Sequence, residues 1–120
     1  MAKSDTRFDE LNRIYNRRTF IFMNFQEFKN SNLIDEIIKM CVKSDEKEID
    51  GILSNYHLKK IERKEIIRQL SLYHDELFYH QAMYEISGMD EVPTATRIMD
   101  LFDICYYFAS YLLKEYMEMI

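Results

Sequence analysis

Glycine and proline are almost missing: two glycines and one proline occur in 120 residues, against roughly 12% of an ordinary chain. Few left-handed positions or tight turns can be made, which excludes most β-rich folds, and no glycine-rich phosphate loop is present. Cysteine is scarce as well. Cys41 and Cys105 stand apart among apolar neighbours, with no Cys-x-x-Cys spacing and no histidine cluster nearby; both are expected to be core thiols in a reducing compartment. Long apolar runs are lacking too. The longest uncharged stretch near the C-terminus, Ile104 to Leu113, is about half of the ~20 residues that cross a bilayer. With charges from Lys3 onward, neither a membrane span nor a secretory signal is expected, and the cytoplasm is the expected location.

What is present suffices for one core: 48% of the residues are hydrophobic, and a single domain over residues 1–120 is expected. Sixteen basic and twenty-one acidic residues give a net charge of −5, which opposes a broad electrostatic grip on nucleic acid. The charge is unevenly spread. Residues 1–68 carry 14 Lys/Arg and 12 Asp/Glu, a net of +2, whereas residues 69–120 carry 2 and 9, a net of −7. The second stretch also holds ten of the seventeen aromatic residues, seven of them tyrosines. Tyrosine combines apolar area with a polar tip and suits protein contacts, so an acidic, tyrosine-rich surface points to a basic protein partner.

Helical periodicity runs through the whole chain and predicts an all-α fold, a compact antiparallel bundle of about five helices joined by short loops. Ser4 or Asp5 can cap a first helix that reaches about Phe28. Ser31 or Asn32 caps a second, with Leu33, Ile34, Ile37, Ile38, Cys41 and Val42 at core spacing. A third restarts at Ser44-Asp45-Glu46 and is weakened by Gly51. The fourth and longest is expected from about Lys59 to Ser87, closed by Gly88 in a left-handed cap. On it Ile66, Leu70, Tyr73, Leu77, His80 and Tyr84 form one stripe, with Ile61, Leu72, Tyr79 and Ile86 roughly opposite. A helix apolar on two sides is either central or makes an oligomer contact, and a homodimer is one way to cover it. The last helix is expected from Pro93 or Thr94 to the C-terminus.

His57, His74 and His80 lie among carboxylates, but only Glu76 and His80 share a helical face. The spacing therefore supplies no metal site, and His80 is expected as a core histidine bonded to a carboxylate or tyrosine. Neither a Ser/His/Asp triad nor an activated cysteine can be recognised, and no cofactor is implied. The residue pattern favours a binding protein over an enzyme.

One pair carries a catalytic alternative. Arg68 and His74, separated by five residues, resemble the Arg-x(4–6)-His signature of HEPN ribonucleases, although Gln69 follows the arginine where that family usually has a small polar residue. The resemblance covers those two residues on an all-α background. It implies a nucleic-acid module in which His74 is the general acid or base and Arg68 stabilises charge on a phosphate, both converging across a dimer cleft.

Two features point to binding instead. Arg18 falls inside the apolar arc of the first helix and is expected to be buried and paired, either as a structural ion pair or as an anchor for an acidic ligand or partner. On the last helix Ile104, Tyr107 and Tyr111 recur at i, i+3 and i+7 opposite the core stripe, beside Asp100 and Asp103. These five residues are expected to form a protein interface, unless another helix of the same chain covers them. The function expected from this balance is that of a small acidic inhibitor, adaptor or immunity-type factor. A phage or mobile-element accessory protein that binds a basic, nucleic-acid-handling partner fits that description.

Overall fold

A computed structural model describes residues 23–120, and among them seven helices and no strand. They are α1 (Phe25–Lys29), α2 (Asn32–Cys41), α3 (Glu46–Ser54), α4 (Lys60–Tyr73), α5 (Glu76–Ser87), α6 (Ala95–Phe102) and α7 (Tyr106–Met119). Most of the first expected helix, Arg18 included, lies outside the described residues. Its described end, α1, starts afresh behind Asn24, whose side chain accepts the Glu27 N–H at 2.7 Å.

Capping explains where the chain turns. Ser31 accepts the Ile34 N–H ahead of α2, Asp45 the Glu48 N–H ahead of α3, and Thr94 the Arg97 N–H ahead of α6, each satisfying one of the orphan donors of a first turn. In α2, Leu33, Ile34, Ile37, Ile38 and Cys41 recur at helical spacing and are all buried. Each fully buried Ile or Leu contributes roughly 1.5–3 kcal/mol. α2 packs against α1, α3, α4 and α7 and is the centre of the core, while α5 lies against α4 and α7.

The two longest expected helices are each broken in two, so the described residues alone hold seven helices where an antiparallel set of about five was expected for the chain. The first break falls at His74 and Asp75, where the Asp75 carboxylate accepts the N–H groups of Leu77 at 2.9 Å and Phe78 at 3.3 Å and starts a new helix. The second falls at Asp103, with φ 55° and ψ 55° the one left-handed residue among those described; aspartate tolerates this region better than most side chains. Gly88 ends α5 as expected, but at φ −82° it is right-handed and not the expected left-handed cap.

Re-phasing at the first break overturns the stripe expected to run through it. Leu77 and Tyr84, expected on a stripe that is either buried in the centre or covered by an oligomer contact, are each 80% exposed, and the buried side of α5 is Ala82, Met83 and Ile86. His80 is no core histidine either: its Nε2 lies 3.7 Å from Glu76 Oε1 at the surface. Cys41 and Cys105 are buried and free of disulfides. Among the described residues no helix is long and apolar enough to cross a membrane, and no group of three or more His, Cys, Asp or Glu side chains converges as metal ligands would.

Candidate functional site

The break between α6 and α7 is held from α4 by a polar cluster. Glu65 and Gln69, one turn apart on α4, are both buried. The Gln69 amide donates to Glu65 Oε2 at 2.8 Å and accepts the Cys105 N–H at 2.9 Å. Arg68 donates to both Glu65 oxygens, at 2.9 and 2.7 Å, and to the backbone carbonyl of Asp103. Lys29 completes the set with an ion pair to Asp103 at 2.8 Å. The hydrogen bond that Arg68 donates to the Glu65 carboxylate is the main reason its guanidinium holds its proton more tightly than usual. Paired charges and satisfied amides of this kind fix one geometry for a chain turn that the helical pattern alone does not specify.

Arg68 is thereby engaged within the molecule. His74 caps α4 at its C-terminal end, exposed, with its ring edge-on to Tyr73 at 5.3 Å. It borders a 520 Å³ cleft between α3 and α4 with Ser71, Glu46 and Asp50, and Arg68 does not line that cleft. Two carboxylates at its rim oppose rather than attract a phosphate.

The expected interface stripe on the last helix is rearranged by the turn at Asp103. Ile104, expected to face outward, is only 4% exposed, because it precedes α7 and does not continue the helical phase of α6. Tyr107 and Tyr111 are half-buried; the Tyr73 ring from α4 lies 4.6 Å from that of Tyr111 and 5.3 Å from that of Phe108. Another helix of the same chain thus covers part of the stripe. Burial, followed by the proximity of Tyr107 and Tyr111, raises the Tyr73 hydroxyl to about 12. Burial and then Glu115 raise that of Tyr111. Both Asp100 and Asp103 are exposed, and of the two only Asp103 forms an ion pair, with Lys29, among the described residues.

Sequence reasoning missed the two residues that organise what remains accessible. Asp35 of α2 reaches across to accept the Tyr107 N–H at 2.8 Å, capping α7, whose own N-cap residue Cys105 makes no side-chain cap bond. Burial first, with Asp35 adding to it, pushes the Cys105 thiol up to about 12. Next to this cap Tyr106 stands 52% exposed as a ridge between two clefts. One, of 400 Å³, is bordered by Asp35, Glu36, Lys39, Tyr107 and Ser110; the other, of 530 Å³, has Asp35, Asn32, Met99 and Asp100 among its walls. Tyr106 directly follows Cys105 and precedes Tyr107, so the signal that could have exposed it was the helix start at 105, hidden by an apparently continuous apolar arc. The Asp35 cap spans 72 positions and leaves no local signal.

A half-exposed phenol flanked by Glu36 and Asp100 can bury apolar area and present carboxylates to a cation at its edge. Comparison with known protein families, with characterised proteins and with solved structures finds no match.

Proposed function

We propose that this chain works by binding another protein that presents a basic surface, acting in the cytoplasm as an adaptor, an inhibitor or an immunity-type factor, with Tyr106 and Asp100 at the contact. The observation that supports this reading is the Tyr106 ridge between two clefts edged by the carboxylates of Asp35, Glu36 and Asp100, which outnumber the one lysine there, Lys39. Its setting adds to it: of the nine carboxylates in residues 69–120, Asp103 is the one that forms an ion pair with a lysine or arginine among the described residues. Acidic groups without internal cations steer a basic partner and speed its association, while burial of the Tyr106 ring on contact supplies affinity, on the order of 2 kcal/mol for a well-buried anchor.

Affinity capture with the wild-type protein and with a Tyr106→Ala/Asp100→Asn variant tests the reading. Neither residue belongs to the core, so circular dichroism should be unchanged. The expected result is a captured protein that salt releases and that the variant holds at least tenfold more weakly. Capture of nucleic acid in place of a protein, or equal retention by the variant, overturns it.

A further inference from the structure

A second surface lies on α5, away from the Tyr106 ridge. With Ala82, Met83 and Ile86 turned to the core, the opposite side of the helix carries Leu77 and Tyr84, each 80% exposed. They are seven positions apart, two turns along one line of the helix and roughly 10 Å at 1.5 Å per residue. Exposed carboxylates, Glu76 and Glu85, flank this line on its two sides, with His80 between Glu76 and Tyr84. No lysine or arginine occurs between Arg68 and Arg97.

We propose that the outer face of α5 docks a basic amphipathic helix of another protein. Its apolar side chains cover Leu77 and Tyr84, and its lysines or arginines meet Glu76 and Glu85. Two apolar anchors two turns apart match the i and i+7 positions by which an amphipathic helix is read, and the i+3 and i+4 positions of such a helix fall between them. Charge decides the identity of the occupant. A second copy of α5 laid antiparallel on the first would set leucine against tyrosine, but it would double the number of glutamates flanking the contact. It has no lysine or arginine on this face to offset that charge. A helix with lysine or arginine beside its apolar stripe meets no such penalty, and its charges also favour encounter with the acidic stretch of the chain. This inference goes beyond the reading given for Tyr106 and rests on different residues, so either can fail without the other.

The experiment is a titration, followed by fluorescence anisotropy, of the full chain with a labelled helical peptide carrying leucines at i, i+3, i+4 and i+7 and lysines on both flanks. A peptide with the same leucines and glutamates in place of the lysines is the control. Saturable binding of the lysine peptide, at least tenfold tighter than that of the control, is expected. A Leu77→Ser/Tyr84→Ser variant, folded by circular dichroism, should weaken it tenfold or more. A Glu76→Gln/Glu85→Gln variant should weaken it severalfold and flatten its salt dependence, and Tyr106→Ala should leave it intact. The proposal fails if the lysine peptide does not bind, if the glutamate peptide binds equally well, or if the serine variant binds normally. It also fails if sedimentation shows a wild-type dimer that the serine variant dissolves, since the face then belongs to a second copy. Loss of the peptide with Tyr106→Ala alone assigns the contact to the Tyr106 ridge.

Discussion

α2 and α5 have similar lengths, ten and twelve residues, and both are rich in apolar side chains, yet they use them differently. α2 gathers Leu33, Ile34, Ile37, Ile38 and Cys41 on one face and buries all five, leaving Met40 37% exposed beside them. α5 distributes its apolar residues around the helix, buries Ala82, Met83 and Ile86, and turns Leu77 and Tyr84 to solvent. A one-faced pattern has a single use, which is the core. A two-faced pattern leaves a surplus that packing does not consume, and in this chain the surplus lies where lysine and arginine are absent.

Alkaline titration attacks the α2 side of that comparison and has the largest expected effect. Burial raises the Cys41 thiol from 9.0 to about 11. It is also the first cause that raises the Cys105 thiol from 9.0 to about 12 and the Tyr73 hydroxyl from 10.0 to about 12. Each group holds its proton more tightly folded than unfolded, so its contribution to stability is fully present below the unfolded value and is lost as pH rises through the folded one. Helical circular dichroism should therefore be steady up to about pH 9 and collapse cooperatively before about pH 12. A thiol reagent should label neither cysteine until that collapse begins. Labelling at neutral pH would show that the core around α2 opens readily.

Ile37→Ala comes next. Ile37 is fully buried at the centre of α2, and truncation of such a side chain costs about 2–5 kcal/mol through lost transfer energy and the cavity left behind. Urea unfolding should show a lower midpoint with an unchanged slope. A loss below about 1 kcal/mol would mean that α2 is not the centre of the core.

The same contrast explains what could be read from the sequence. The class, the Ser31 and Asp45 caps and the buried face of α2 follow from local periodicity and capping chemistry, which act within a few residues. The breaks at Asp75 and Asp103 were hidden because apolar spacing remains regular across them. Ile66, Leu70 and Tyr73 are in phase with Leu77 and Tyr84 only if the helix is continuous, and Asp75 had the chemistry of a cap but sat within an unbroken stripe. At Asp103 the turn is fixed by Arg68, Lys29 and Gln69, which are 34 to 74 positions away in sequence. Asp100 was legible as an exposed carboxylate. Tyr106 was not, since its exposure depends on a helix start that Asp35 stabilises from the other end of the chain.

Leu77→Ser carries the smallest expected effect and tests the α5 side directly. At 80% exposure the leucine has little transfer energy to lose, and its neighbours along the outer line, His80 and Tyr84, are exposed as well. What remains is the lower helix propensity of serine, a few tenths of a kcal/mol, so stability should change by no more than about 0.5 kcal/mol. For a domain of this size that is a shift of at most roughly 2 °C in Tm, against more than about 8 °C for Ile37→Ala. Differential scanning calorimetry of the two variants side by side measures the gap. If Leu77→Ser destabilises as much as Ile37→Ala, then Leu77 is a packing residue, α5 is buried on both sides, and the surplus that sets it apart from α2 does not exist.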